Sequence, residues 1–201
     1  MLCFPVDVYL PVAINDVRVS IVASAMRPSI SLLAEEMFPG RHYDLITNAG
    51  WHPERKVIGL TFPCEYPQIV RDVLEEFHGL HFPTADSPGQ DCASGDLHIS
   101  HNLSRLIDHA EDDIRDRYNV DCFFIGVSHR AYCELYSNNN GIIFSSNIVD
   151  GELGFVASDI YSAIIVTVSG IQMQPMLANG KSNVIAYGKT YQANDPKVYR
   201  P

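Results

Sequence analysis

Residues 120–145, VDCFFIGVSHRAYCELYSNNNGIIFS, decide the fold class. Val120 to Val127 is almost continuously apolar, and Ala131-Tyr132-Cys133-Glu134-Leu135-Tyr136 alternates. Ser137-Asn138-Asn139-Asn140-Gly141 then supplies residues that tolerate a positive φ, so Ile142-Ile143-Phe144-Ser145 reads as the returning strand. On either side the period changes to that of a helix. Upstream, Leu103, Leu106, Ile107, Ala110 and Ile114 form an apolar stripe, with Asp108, Glu111, Asp112, Asp113 and Asp116 over the remaining surface. Downstream, Ser158 is expected to cap a helix reaching about Val168, with Ile160, Ala163, Ile164 and Thr167 on one side and Gly170 as terminator.

The first half is helical in two places and extended between them. Pro67 suits a first turn, Ile69, Val70, Val73, Leu74 and Phe77 share a face, and Gly79 stops the run, which predicts a helix over 67–78. A shorter helix is expected over Tyr43 to Asn48, with Gly50 at its C-cap. Residues 51 to 66 read as a connector, since Pro53, Gly59, Pro63 and Pro67 leave no room for a helix. Nearer the start, Ile30, Leu33, Ala34 and Met37 follow Ser29 at helical spacing, and alternation over residues 1 to 25 suggests a strand pair turning at Asn15-Asp16.

Residues 83 to 95, PTADSPGQDCASG, form a polar loop, long enough to be mobile, that marks an internal boundary. Beyond Gly170 the tail contains one strand-like piece, Asn183-Val184-Ile185-Ala186-Tyr187. Helices and strands come in runs, and no repeat is visible. That order predicts an α+β fold: an antiparallel sheet with helices packed on one side. The expected single domain covers 29–170, with an N-terminal extension over 1–28 and a C-terminal extension or docked strand over 171–201.

The chain has 201 residues and a formal net charge of −10, from 24 acidic and 14 basic side chains. Nucleic acid is a poor partner for such a surface, because a phosphate backbone is bound chiefly by clustered Lys and Arg. A basic protein fits better. No apolar run approaches the roughly 18 to 20 residues that cross a bilayer, and Met1-Leu2-Cys3-Phe4 lacks the cationic opening of an export signal. Five cysteines (Cys3, Cys64, Cys92, Cys122, Cys133) form an odd set without a CxxC pair, as expected of reduced thiols in a cytoplasmic protein.

Three constellations bear on chemistry. His98 and His101, with Asp96, Asp108 and His109 nearby, could hold a metal, although the chain lacks His-Glu-x-x-His; the competing reading puts both histidines on a loop entering a helix that Ser100 or Asn102 caps. Cys122 and Cys133 flank His129 on successive strands, but Phe123 and Phe124 beside Cys122 favour core packing over a nucleophile. The acidic set Glu111, Asp112, Asp113 and Asp116 splays around a helix axis instead of converging on a cation, which leaves a solvated face or a partner-binding patch. No Gly-rich phosphate loop is present.

Residues 44–57, DLITNAGWHPERKV, resemble the opening of SUKH superfamily immunity proteins, where a short helix ends in an alanine-glycine-tryptophan turn followed by proline and basic residues. Val73-Leu74-Glu75-Glu76-Phe77-His78-Gly79-Leu80 resembles the family's next helix. The segment from Ser104-Arg105-Leu106 to Tyr118-Asn119-Val120, the strand Phe123-Phe124-Ile125-Gly126, the hairpin before Gly141-Ile142-Ile143-Phe144, and Ser158-Asp159-Ile160-Tyr161-Ser162-Ala163-Ile164 follow in the family's order. The likeness runs from about residue 30 to 170. The closing helix departs from the family pattern, being β-branched and without acidic residues after Asp159.

The resemblance implies an immunity protein of a bacterial polymorphic toxin system. Such a protein neutralises a cognate toxin, often a nuclease or another nucleic-acid-modifying enzyme, by direct binding; no catalytic residue, metal or cofactor is carried over. An acidic inhibitor suits the basic cleft of a nuclease. The expected contact residues are Asp108, Glu111, Asp112, Asp113 and Asp116 on the acidic helix, and Asp86, Asp91 and Asp96 around the polar loop. The alternatives are a metal-dependent hydrolase or transferase built on His98, His101 and His109, and a regulatory scaffold of the wider superfamily.

Overall fold

The computed structural model of the chain describes residues 41–84, 89–103, 110–149 and 151–200. The strand pair expected within 1–28, the helix expected from Ser29, and Asp86, Asp108 and His109 lie outside these residues. Seven strands follow one another in chain order: β1 Leu80–Phe82, β2 Leu97–Ile99, β3 Cys122–Ser128, β4 Cys133–Asn138, β5 Ile143–Asn147, β6 Leu153–Ala157 and β7 Gln174–Pro175. Each is antiparallel to the next, so the sheet is a meander. The described helices are α1 Arg41–Asn48, α2 Gln68–Phe77, α3 Ala110–Tyr118 and α4 Ile160–Ser169. None is long and apolar enough to cross a membrane.

Strand alternation divides the core in two. Leu135 and Ile143 face α2 and α4, where Val70, Leu74, Phe77, Ile160, Ile164 and Val168 are buried with Ile46 and Trp51. The neighbouring Tyr136 and Phe144 face the other way, beneath Ala110, Ile114 and Tyr118 of α3 and against Met176. The fold is therefore α+β in a single domain, as the sequence predicts, with α1, α2 and α4 sharing one side of the sheet. The short α3 and the C-terminal segment cover the side that would otherwise expose Phe124, Tyr136 and Phe144, each at most 1% accessible. Burying side chains of that size is worth about 2–3 kcal/mol each, which explains why the second face is not left open.

The connector expected over residues 51–66 is indeed without helix, and it is pinned by side chains. Trp51 stacks on Phe77 with ring centroids 6.4 Å apart and meets Tyr161 edge-on at 6.5 Å. Its indole N–H donates to Glu76 Oε1 at 2.9 Å. Arg55 donates to the carbonyls of Glu76 and, at 2.8 Å, of His78, so the guanidinium satisfies acceptors that the end of α2 leaves open. Ile46, Trp51 and Arg55 of the segment that resembles the SUKH opening thus have packing and capping roles in this chain.

Two boundaries differ from the sequence reading. The cap of α4 is Asp159, extended at φ −156°, whose carboxylate accepts the Ser162 N–H at 2.8 Å; Ser158 instead donates its hydroxyl to Asp159. The aspartate wins because it sits directly before the first helical residue and carries two acceptor oxygens. The tail is also more structured than one strand-like piece indicates. Residues 174–175 add a seventh strand to the sheet, and β8 Asn183–Ala186 pairs with β9 Lys189–Gln192 in a hairpin.

Candidate functional site

Strand β3 ends at Ser128 and is followed by three successive non-glycine residues in left-handed conformation: His129 at φ 53°, Arg130 at 57° and Ala131 at 66°. Each such residue costs roughly 1–2 kcal/mol for an L side chain, so the turn exists because other groups hold it. Asp96 is the clamp. Its carbonyl accepts the His129 N–H at 3.0 Å, and Oδ1 accepts the Arg130 N–H at 2.7 Å. Oδ2 lies 3.1 Å from His81 Nε2. Burial pushes the Asp96 carboxyl up, but the bonds from the Arg130 amide and His81 outweigh it and hold the group below its usual value.

The His129 ring, with Nδ1 3.0 Å from Ser128 Oγ, lies directly over Gly95. A Cβ at Gly95 would come within 2.6 Å of the imidazole, so any larger residue there would displace the ring. Gly95 is in turn tied to the end of α4. Its N–H donates to Thr167 O, Gln90 N–H to Ser169 O, and Asp91 and Cys92 N–H both to Gly170 O. Residues 89–95 of the 83–95 loop are therefore bonded to the last carbonyls of α4. This corrects the reading of the segment as an internal boundary: β1 and β2 on either side of it are paired neighbours. The physical reason is that a helix end must satisfy its orphan acceptors, and this loop supplies the donors.

These elements enclose a cavity of about 290 Å³. Its floor is Cys133, Ser145, Asn147 and Gly154 of the sheet. Val166, Thr167 and Gly170 of α4 form one wall, Cys92, Ala93 and His129 another, and Val184 to Tyr187 of the hairpin a third. The hairpin turn places Tyr187 (φ 53°) and Gly188 (φ 70°) in the left-handed pair of a two-residue β-turn. Burial pushes the Tyr187 phenol up to about 12, and Cys92 and Cys133 lie close enough to contribute. Burial also raises the Cys92 thiol, with Asp91 adding to the effect, so that wall presents a neutral thiol.

Of the two histidines read as lying on a loop, His101 is in a turn and His98 is in a strand. His98 lies in β2, directly across from His81 of β1, with rings 5.8 Å apart. His101 sits between Phe62 and His78, and its Nε2 is 3.0 Å from Thr61 O. Burial lowers all three of His78, His98 and His101, and takes His78 to about 4, with His101, Arg55 and His98 adding positive charge nearby. The Ser100 hydroxyl accepts the Asn102 N–H at 3.3 Å, one of the two capping residues considered. Among the described residues no three His, Cys, Asp or Glu side chains converge as a metal site.

The acidic helix orients its carboxylates outward. Ala110, Ile114 and Tyr118 are buried at four-residue spacing, while Asp112, Asp113 and Asp116 are exposed and Glu111 is half-buried. Two cations on the same helix temper the charge. Arg115 pairs with Asp112 at 3.0 Å and Asp121 at 2.5 Å, and Arg117 pairs with Glu152 at 3.1 Å. The Tyr118 hydroxyl donates to Glu152 and accepts the Leu153 N–H. Asp91 is exposed and accepts the Gln172 N–H at 3.4 Å, whereas both Asp96 oxygens are engaged within the chain. Asp91 and Asp96 belong to the loop bound to α4, and the acidic helix covers the opposite side of the sheet.

Sequence reasoning missed the cavity. Cys92, Ser145 and Tyr187 are separated by more than forty residues, and none stands in a motif. The signals available were Gly95 and Gly170, which read as loop and terminator but also permit the close contacts behind one wall. Set against known proteins, the chain matches no family model, no curated protein and no solved structure.

Proposed function

We propose that the protein is a non-catalytic binding protein that neutralises a basic partner, in the manner the SUKH resemblance implies: an immunity protein occluding a toxin domain that acts on nucleic acid. The observation that carries this reading is the outward set Asp112, Asp113 and Asp116 on a helix whose other stripe is locked into the core. Buried Ala110, Ile114 and Tyr118 fix the rotation of α3, so these carboxylates are presented to solvent at fixed spacing, in a chain of net charge −10. Such a surface steers a basic cleft toward it and repels wrong partners. Asp96 has a different role as the clamp of the 129–131 turn and leaves the proposed contact set, in which the exposed Asp91 remains beside the carboxylates of α3.

The test is co-purification with the product of the neighbouring gene, followed by an inhibition assay. Reversing charge at Asp112, Asp113 and Asp116 together should weaken association, and more at low salt than at high salt, because the Debye length shrinks from about 30 Å at 0.01 M to about 10 Å at 0.1 M. Association that is the same at both ionic strengths would remove α3 from the contact. Partnership with a host regulator, without inhibition of a toxin, would replace the immunity reading by that of a regulatory scaffold.

A further inference from the structure

We propose that the cavity between the end of α4, the sheet and the β8–β9 hairpin binds a small neutral molecule with an apolar body and one hydroxyl or carbonyl group, which bonds to Ser145 Oγ. Ser145 is 3% exposed, lines the cavity, and its hydroxyl oxygen is buried with no hydrogen-bond partner. A buried hydroxyl without a partner is costly, by an amount similar to that of a lost hydrogen bond, and native chains rarely retain one without a use. Here Ser145 belongs to the floor of a cavity otherwise bounded largely by apolar atoms, so that a turn of its side chain brings the hydroxyl to a ligand, and a few such polar groups are how small-molecule sites fix the orientation of an apolar ligand.

The walls select for neutrality. Burial pushes the Cys92 thiol toward its uncharged form, the exposed Tyr187 contributes a phenol and not a carboxylate or ammonium, and the Glu152 carboxylate is already bonded to Arg117 and Tyr118. Neither an anion nor a cation finds an uncommitted opposite charge among these groups. The volume, about 290 Å³, is at the small end of the ~300–1,000 Å³ that ligand sites span, which favours a single ring or a short chain. Three left-handed residues hold His129 at the rim, and a left-handed Tyr187 sits at the hairpin tip; such conformations cluster at ligand sites. The site goes beyond the protein-binding reading and does not depend on it.

The experiment uses the full chain and two probes, p-cresol and toluene, titrated by calorimetry. A dry apolar hole prefers toluene, because the hydroxyl of p-cresol must leave water without compensation. A site with a waiting serine should reverse that order, with p-cresol bound at about 1 mM or tighter and toluene about tenfold more weakly. Ser145→Ala should restore the preference for toluene. Ala93→Trp, at an exposed lining position, should abolish binding of both while leaving cooperative melting intact. Absence of binding of either probe up to about 10 mM, or binding that survives Ala93→Trp, overturns the site. A toluene preference in the unaltered chain, or an unchanged order in Ser145→Ala, overturns the role of the hydroxyl.

Discussion

The Tyr161 hydroxyl donates to the Glu76 carboxylate at 2.8 Å, joining α4 to α2 across 85 residues of sequence, and the Trp51 indole donates to the same carboxylate. Glu76 therefore unites the connector and two helices on one side of the sheet. Burial, with the Glu76 charge beside it, raises the Tyr161 phenol, so it remains a donor throughout the physiological range. Glu76→Ala leaves the buried Trp51 indole and the half-buried Tyr161 hydroxyl without their acceptor and should cost about 2–4 kcal/mol in urea unfolding, whereas Tyr161→Phe should cost about 1 kcal/mol. Equal losses from the two would show that the indole bond contributes nothing.

Gly170 and Gly59 offer a paired test of the loop that closes α4. Both have positive φ, but a Cβ at Gly170 would lie 2.4 Å from Cys92 O, and one at Gly59 would meet nothing within 4 Å. Gly59→Ala should cost about 1 kcal/mol, the price of a left-handed alanine. Gly170→Ala should cost more and should increase amide exchange at Asp91 and Cys92, which donate to Gly170 O.

Asp96→Ala removes the acceptor that holds Arg130 N–H and His81. The left-handed turn should relax, with a loss of about 1–3 kcal/mol and faster exchange of the Arg130 amide. Asp96→Asn keeps one acceptor and should retain part of the stability. An exchange rate unchanged in the alanine variant would show that Asp96 does not hold the turn.

Acid sensitivity follows from the histidines. His78 has a folded value of about 4, below its ordinary 6.5, chiefly through burial. Between these values the unfolded chain binds the proton more readily, so stability is fully present above pH 6.5 and declines as the pH falls toward 4. His98 and His101, lowered for the same leading reason, add to the decline. The melting temperature should fall over that window, and the slope should be shallower in His78→Gln. Asp96, lowered from 3.8, contributes a separate loss at still lower pH, which Asp96→Asn should remove.

Local signals determined a good part of this protein. Alternation and the Asn-rich turn place β3 to β5, the apolar stripe places α2, and the pairing of a polar cap with Gly170 places α4, because each depends on residues within one element. β1, β2 and β7 have three, three and two residues, too few for a period of two to register, and only pairing with neighbours makes them strands. The side on which α3 packs, the binding of loop 89–95 to α4, the engagement of Asp96 with a turn 34 residues away and the cavity around Ser145 were all decided by tertiary structure. They depend on which buried acceptors and apolar faces remain unsatisfied once the sheet has formed, and no short stretch of sequence contains that information.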